Sequence, residues 1–434
     1  MNDSITSSRA SIRPGKTLRT LGVFEEYFWL LQQRVPRTVV VAAEIQGRTT
    51  VEQWHAALDA VRTHHTILSA RIHQKPGFRP CFELATDVPL ALRVVPGESG
   101  MRVFELISDE LTTAFAPGDA LLRASILYGR DRTTLVLGAD HAALDGTSLI
   151  LLIRDLLRAL GAEPLGGVRA MPPSHDGWLG LHTNERYAPF AMPLRVNADN
   201  RGPALGAVLG SASGSSLASA DEQPLLQQIW LEPSVTSLVA RRAHDEQTTV
   251  HGALSAAVML AGRALSKSWR DHTVRCATSI DTRAMLGASE RLGLFPAQRH
   301  TELEPSYTPS FWDLARAVRQ ALAVRCTAAE AAGGFSSPLL EMISAGTDPD
   351  RLVIGSRQRA PTLWIDNHGP LPIPTQYGRL RIRWVTPVAM NGAPHTQSLS
   401  IATTDGLLCM TNVSAEPVPS LLGNARRLLL AQLE

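Results

Sequence analysis

Apolar residues recur along the chain with two different periods, and these predict a mixture of strands and helices. The run TVVVAAEIQG (38–47) is rich in β-branched residues and ends in glycine, which is typical of a strand. From Val51 to Val61 the apolar residues recur at helical spacing, and Thr49 or Thr50 can form the N-cap. The first hundred residues therefore favour alternating strands and helices over an all-helical or all-β chain.

A pair of apolar runs further along predicts a β-hairpin. LLRASILY and TTLVLGA flank the polar turn GRDR, as the two strands of a hairpin would. The second run leads into VLGADHAALDGTS (136–148), and an apolar segment of helical period then extends to Gly161. Thr147 or Ser148 is the predicted N-cap of that helix. The polar residues of 136–148 therefore lie between a strand and a helix.

The second half repeats this mixture after an irregular region. Between about 165 and 222 the pattern fades, and GPALGAVLGSASGSSLASAD is typical of a flexible linker. A small-residue helix, TVHGALSAAVMLAGRAL, a strand, HTVRCATSI, and a helix around 310–332 follow, and three strands and a final helix close the chain. We therefore predict an α/β protein with an N-terminal lobe at 18–185, a crossover at 186–222 and a C-terminal lobe at 223–434.

Composition and charge exclude several classes of partner. A chain of 434 residues is expected to divide into two domains of about 200 residues. With 44% hydrophobic and 19% charged residues it is typical of a soluble globular protein. The net charge is +2 and no basic run occurs, so neither nucleic acid nor an anionic membrane is indicated. The most apolar helix, LILLIRDLLRAL, is interrupted by Arg154, Asp155 and Arg158 and should not span a bilayer.

Cysteine usage and the first residues indicate a cytoplasmic protein. The first 20 residues lack the apolar segment of a signal peptide. The four cysteines lie far apart and form no CxxC pair, which predicts reduced thiols instead of a disulfide framework or a zinc site. No metal centre is expected.

The segment DHAALDG contains the best candidate for chemistry. The unperturbed pKa of histidine, about 6.5, suits acid–base catalysis near neutral pH. His141 would need one ring nitrogen held by an acceptor and the other free for a substrate. Gly146 suits a tight loop, while Asp145 could orient His141 or pair with a cation if it is buried. Spacing alone leaves open the alternative of a polar turn with a structurally satisfied histidine.

The same segment resembles the HHxxxDG signature of the thioester-dependent acyltransferase superfamily. That superfamily includes peptide-synthetase condensation domains, polyketide-associated acyltransferases, alcohol acetyltransferases, wax ester synthases and chloramphenicol acetyltransferase. RTHHTILSARI, TVHGALSAA, SIDTR with LGLF, DNHGPL and LSIATTDGLLCMT resemble further segments of the superfamily in the expected order. The resemblance covers nearly the whole chain.

The resemblance implies a fold and a role for each matched residue. Two chloramphenicol-acetyltransferase-like lobes, with mixed sheets flanked by helices, would form a V with the active site in a central tunnel. His141 would be the catalytic base, and Asp145 would pair structurally with Arg283 of the other lobe, while Gly146 shapes the loop. Asp140 stands where many condensation domains have a first histidine, and this departure favours the O-acyltransferase branches.

The implied mechanism is direct transfer without a covalent enzyme intermediate. His141 would take a proton from the acceptor as it attacks the thioester. The donor would be an acyl-CoA or the phosphopantetheine arm of an acyl-carrier protein, with no permanently bound cofactor. Candidates for contact with substrate or oxyanion are Asp140, Asn367 and Ser398.

Three functions remain as alternatives. The leading hypothesis is ester formation on a small-molecule alcohol, in natural-product or lipid biosynthesis, by a monomer. A free-standing condensation domain would instead form an amide with an amine acceptor, and a non-catalytic relative would recruit carrier proteins. Among the other histidines, His64 and His65 are expected to be solvated or capping residues, and His251 to be packed in its helix.

Overall fold

The computed structural model describes residues 15–97, 102–180, 185–186, 223–323, 343 and 346–433. These residues contain two six-stranded mixed sheets and one three-stranded sheet, flanked by helices. The strands are β1 Thr17–Thr20, β2 Thr38–Gln46, β3 Ala70–His73, β4 Cys81–Leu84, β5 Leu92–Pro96, β6 Leu122–Tyr128, β7 Arg132–Asp140, β8 Leu225–Leu231, β9 Val274–Asp281, β10 Pro296–Leu303, β11 Leu363–Pro370, β12 Gln376–Tyr377, β13 Leu380–Ala389, β14 Gln397–Thr404 and β15 Leu407–Ser414. The helices are α1 Val23–Gln32, α2 Val51–His64, α3 Val103–Thr112, α4 Gly146–Leu160, α5 His175–Trp178, α6 Pro233–Asp245, α7 Val250–Leu265, α8 Lys267–Asp271, α9 Arg283–Leu286, α10 Phe311–Ala323, α11 Pro349–Gln358 and α12 Leu421–Leu430. The predicted α/β class with two lobes is confirmed.

The first sheet has the order β12-β13-β2-β7-β6-β5 and is covered on both faces. Alternate residues of β2 explain this, because Val39 and Val41 pack into a core that includes α2 and α4, whereas Val40 packs into a separate core with α3. A strand that is buried on both sides reads as a continuous apolar run, as the sequence 38–47 does. The predicted hairpin is present as the antiparallel pair of β6 and β7.

Strand β13 lies in the first sheet although it belongs to the second half of the chain. It pairs antiparallel with β2, with Val385 opposite Ala43. No single point of the sequence therefore separates the strands of the two sheets. The predicted C-terminal lobe at 223–434 contributes strand β13 to the sheet of the N-terminal lobe. Of the predicted crossover at 186–222, residues 187–222 lie outside the described residues.

The second sheet has the order β10-β9-β11-β14-β15-β8. Helices α7, α10 and α12 supply most of the helical side chains in its core. Strands β9 and β11 are parallel neighbours, with Ile365 opposite Thr278. Their carboxyl ends therefore lie at the same edge of the sheet, which brings the residues after Asp281 close to those after Ile365.

Further sequence predictions concern membranes and thiols. In the described ranges, no helix has the length and apolar character required to cross a bilayer. Cys81, Cys276 and Cys409 are free thiols, whereas Cys326 lies outside the described residues.

Candidate active site

The end of β7 turns sharply into helix α4 and presents His141. Asp140, the last residue of the strand, accepts a hydrogen bond at Oδ1 from the backbone N–H of Ala142 at 2.9 Å. Its backbone carbonyl also accepts from the N–H groups of Ala143 and Leu144. Burial raises the pKa of Asp140 to about 6. This carboxylate shapes the loop and does not belong to the described cavity lining, so its contact with substrate or oxyanion stays a prediction.

The loop fixes the tautomer of His141. Its Nδ1 lies 3.1 Å from the carbonyl oxygen of Leu144, and because a carbonyl only accepts, Nδ1 must donate. Nε2 therefore carries the lone pair, and it has no hydrogen-bond partner among the residues that the structure describes. Burial lowers the pKa of His141 below its usual range, so the neutral, basic form persists at neutral pH. The ring of Phe28 packs at 4.3 Å between centroids and shields one side of the imidazole.

Asp145 and Arg283 connect the two lobes. Oδ1 of Asp145 accepts from an Arg283 guanidinium nitrogen at 2.7 Å and from the N–H of Ser148 at 2.8 Å. Oδ2 accepts from the N–H of Phe295 at 3.0 Å. Burial opposes the charge, yet Arg283 and these N–H donors together hold the pKa of Asp145 below its usual range. The predicted contact of Asp145 with Arg283 is present, and both side chains are buried.

The start of helix α4 differs from the sequence prediction. Its N-cap is Asp145, not Thr147 or Ser148, and the helix begins at Gly146. Gly146 is required for space and not for a positive φ: a Cβ there would lie 2.9 Å from Cε1 of His368. The loop of the first lobe and the end of β11 in the second lobe are therefore in close contact.

A cavity of about 200 Å³ opens between the two lobes at this contact. His141, Asp145 and Gly146 line it from the first lobe, with Arg283 from the second. The other residues of its lining are Phe24, Phe28, Val39, Thr147, Ile150, Ser279, Ile280, Asp281, Phe295, Gln298, Trp364, Asp366, Asn367, His368, Pro372, Pro387, Val388, Ala389, Asn391 and Ser400. Most of the surface of this lining is apolar, although about half of its residues are polar or charged. An apolar wall with convergent polar groups is common for a small-molecule site.

The two predicted residues of the closing strands have different positions. Asn367 lines the cavity, but its side-chain amide is engaged by Nδ1 of His251 at 3.2 Å and by the N–H of Gly369 at 2.9 Å. Ser398 does not belong to the described lining, and its hydroxyl accepts from the N–H of Asn391 at 3.0 Å. A role for Ser398 at the reacting oxygen stays a prediction.

Sequence reasoning missed Asp366 and His368 as individual site residues. Both line the cavity. The carboxylate of Asp366 accepts from the indole N–H of Trp364 at 3.1 Å and from the amide of Asn391 at 3.3 Å. The signal that could have found them is a polar run at the end of an apolar strand, which is also the signal that identified His141.

The sequence predicts that the two histidines at the end of α2 are solvated or capping residues. Both are buried, and the capping alternative holds for His65. Nε2 of His65 lies 2.8 Å from Oδ2 of Asp155, and the side chain of His64 packs against that of His65. The other oxygen of Asp155 binds Nε of Arg154 at 2.9 Å, and this cation opposes a metal ion at the same place.

Comparison with known proteins extends these observations. Residues 220–412 match the family model described as the phthiocerol/phthiodiolone dimycocerosyl transferase C-terminus. This match covers less than half of the chain, and it agrees with the resemblance to the thioester-dependent acyltransferase superfamily seen in the sequence.

Several solved structures share the fold over nearly the full length of the chain. Polyketide synthase associated protein 5 from Mycobacterium tuberculosis matches with a TM-score of 0.66 and 15% identity, covering 98% of this chain and 99% of its own. The first condensation domain of the CDA synthetase matches with a TM-score of 0.68 and 16% identity over 98% and 97%. The trichothecene 15-O-acetyltransferase from Fusarium sporotrichioides matches with a TM-score of 0.64 and 12% identity over 96% and 94%. No curated protein matches the sequence.

Proposed function

We propose that this protein transfers an acyl group from a thioester to a hydroxyl acceptor, with His141 as the general base. The observation that carries the proposal is the tautomer of His141, a residue of the cavity wall. Its Nδ1 donates to the carbonyl oxygen of Leu144, so Nε2 is unprotonated. A neutral imidazole with one committed nitrogen is what proton abstraction from an alcohol requires. The names of the matched family and of the trichothecene 15-O-acetyltransferase support the reaction class.

The proposed reaction proceeds in two steps. The acceptor hydroxyl attacks the thioester carbonyl carbon while its proton passes to Nε2 of His141. This attack converts the thioester into a tetrahedral oxyanion. The oxyanion then collapses, the carbon–sulfur bond breaks, and the imidazolium returns the proton to the leaving thiolate. The products are an ester and a free thiol, so atoms and charge balance without an enzyme-bound acyl group.

The start of helix α4 offers a positive potential for the oxyanion. The first backbone N–H groups of a helix have no intrahelical acceptor, and the helix dipole adds a partial positive charge there. Gly146 and Thr147 form the first turn and line the cavity beside His141. We assign this helix end, in place of Ser398, to the stabilisation of developing negative charge.

The donor and partners in this proposal follow the sequence expectation. An acyl-CoA or a phosphopantetheinyl acyl-carrier protein supplies the thioester, and no metal or permanently bound cofactor takes part. A small-molecule alcohol accepts the acyl group, and the protein acts as a monomer in the cytoplasm, in natural-product or lipid biosynthesis.

Thiol release tests the proposal directly. Acyl-CoAs and acyl-carrier thioesters would each be offered an alcohol and a primary amine, with wild type and His141→Ala measured side by side. We expect release with the alcohol, reduced at least a hundredfold by His141→Ala because the base is lost. His55→Ala, which removes an exposed histidine that does not line the cavity, is the matched control and should keep full activity.

Other outcomes would change the assignment. His141-dependent release with the amine alone would favour amide formation, as in a free-standing condensation domain. Equal rates in wild type and His141→Ala would remove the general-base role. Carrier protein binding without release from any thioester would favour a recruitment domain.

A further inference from the structure

The charged groups of the cavity wall do not balance. Its carboxylates outnumber its single guanidinium, and burial lowers the pKa of both His141 and His368, which leaves them neutral at pH 7. The carboxylates are Asp145, Asp281 and Asp366, and the guanidinium is that of Arg283. Arg37 is buried and does not belong to the described lining, and its guanidinium donates to the carbonyl of Met390 at 3.4 Å. The wall therefore carries a net negative charge.

Asp366 differs from the other two carboxylates in its partners. Asp145 and Asp281 both bind Arg283, at 2.7 and 3.1 Å. Asp366 binds only neutral donors, since Trp364 contacts Oδ1 and Asn391 contacts Oδ2, and within the described part of the chain it forms no ion pair. The two donors hold the carboxylate at the cavity without cancelling its charge.

A carboxylate in this position favours a cation. Asp366 is half-buried in a cavity that is partly open to solvent. The effective dielectric constant there is lower than in water, so an uncompensated negative charge attracts a positive ligand group more strongly. The aromatic residues Phe24, Phe28 and Trp364 also line the cavity, and aromatic rings attract alkylated ammonium groups. Both features point to one type of ligand group.

We propose that Asp366 determines acceptor specificity by binding a positively charged ammonium group on the alcohol that is acylated. The inference rests on the proposed function, because it assigns the acceptor of that reaction. His141 receives the proton of the hydroxyl, and Asp366, on the wall contributed by the second lobe, holds the charged end of the same molecule. The acceptor class is then a cationic alcohol, such as an amino alcohol or a quaternary ammonium alcohol.

Choline and 3,3-dimethylbutan-1-ol form a matched pair of probes. They share shape and hydroxyl group and differ in charge, because a quaternary carbon replaces the quaternary nitrogen. We expect wild type to prefer choline at least tenfold in kcat/KM, and Asp366→Asn to reduce that ratio at least tenfold. The ratio cancels any effect of Asp366 on the basicity of His141, which would change both rates alike. Asp109→Asn removes an exposed carboxylate outside the described lining and should leave the ratio unchanged.

Equilibrium binding separates this inference from the proposed function. Calorimetric titration of choline and of the neutral isostere into both proteins needs no turnover. Choline binding that weakens at least tenfold in Asp366→Asn, beside unchanged binding of the isostere, supports the inference even if no acyl transfer occurs. Transfer to the neutral alcohol with no preference for choline, or a choline preference that persists in Asp366→Asn, would overturn the inference while the proposed function stands.

Discussion

Replacing Asp145 by alanine tests the contact that joins the two lobes. The substitution removes the anion opposite Arg283 and leaves that buried guanidinium without its charged partner from the first lobe. It also removes the acceptor for the N–H groups of Ser148 and Phe295. Breaking one side of a buried ion pair costs about 3–5 kcal/mol of unfolding free energy. For a chain of 434 residues this corresponds to a fall in Tm of roughly 3–6 °C.

The assay is thermal unfolding followed by circular dichroism, with urea unfolding as a second measure. Asp145→Asn separates the contributions, since asparagine remains a good N-cap but lacks the charge. We expect it to be destabilised less than Asp145→Ala. The double variant Asp145→Ala/Arg283→Met should recover part of the loss, because it removes the stranded cation along with the anion.

An unchanged Tm in Asp145→Ala would refute the reasoning. It would mean that water or Asp281 compensates Arg283 fully, and that the observed 2.7 Å contact contributes nothing to the stability of the protein. Equal losses in Asp145→Ala and the double variant would instead assign the effect to the helix cap.

Two further predictions concern the same loop. Gly146→Ala should lower the unfolding free energy by about 1–3 kcal/mol, because the new Cβ would meet the His368 ring. Adding His368→Ala should restore the lost stability. Alanine otherwise favours a helix over glycine by about 1 kcal/mol, so a raised Tm in Gly146→Ala would contradict the close contact. Asp140→Asn should be more stable than wild type above pH 6, by up to about 3 kcal/mol. Burial raises the pKa of Asp140 from 3.8 to about 6, so the wild type loses stability between these values as the carboxylate ionises, whereas asparagine keeps the acceptor for Ala142. Melting curves at pH 4 and pH 8 should therefore differ less for the variant, and equal pH dependence would contradict this account.

Local patterns predicted the regular elements well where one period dominates. The strand at 38–46, the helix at 51–64 with its Thr50 cap and the β6–β7 hairpin all follow from side-chain periodicity. The cap of α4 was assigned to the wrong residue, because Asp145, Thr147 and Ser148 are all favourable caps and only tertiary contacts with Phe295 and Arg283 select the first.

The sequence predicted those site residues that lie together in one segment of the chain. His141 could be identified because a strand, a polar turn and a helix follow one another in sequence. The roles of Asp366 and His368 depend on parallel pairing of β9 with β11 and on contact with the other lobe, which the polar run at the end of β11 does not reveal by itself. The position of Ser398 outside the described lining has the same origin, since its contact with Asn391 is a long-range result of strand packing.

The position of β13 has a consequence for synthesis on the ribosome. In the finished protein β2 lies between β7 and β13, so until residue 389 has emerged β2 presents an open edge with unpaired backbone groups. The nascent N-terminal half must therefore wait for more than 200 further residues after β7 before its sheet is complete. Such late, long-range closure slows folding and prolongs exposure of an apolar edge. A gene fragment that ends before β13 would consequently encode a chain whose first sheet lacks the strand that covers β2, even though its catalytic loop is complete.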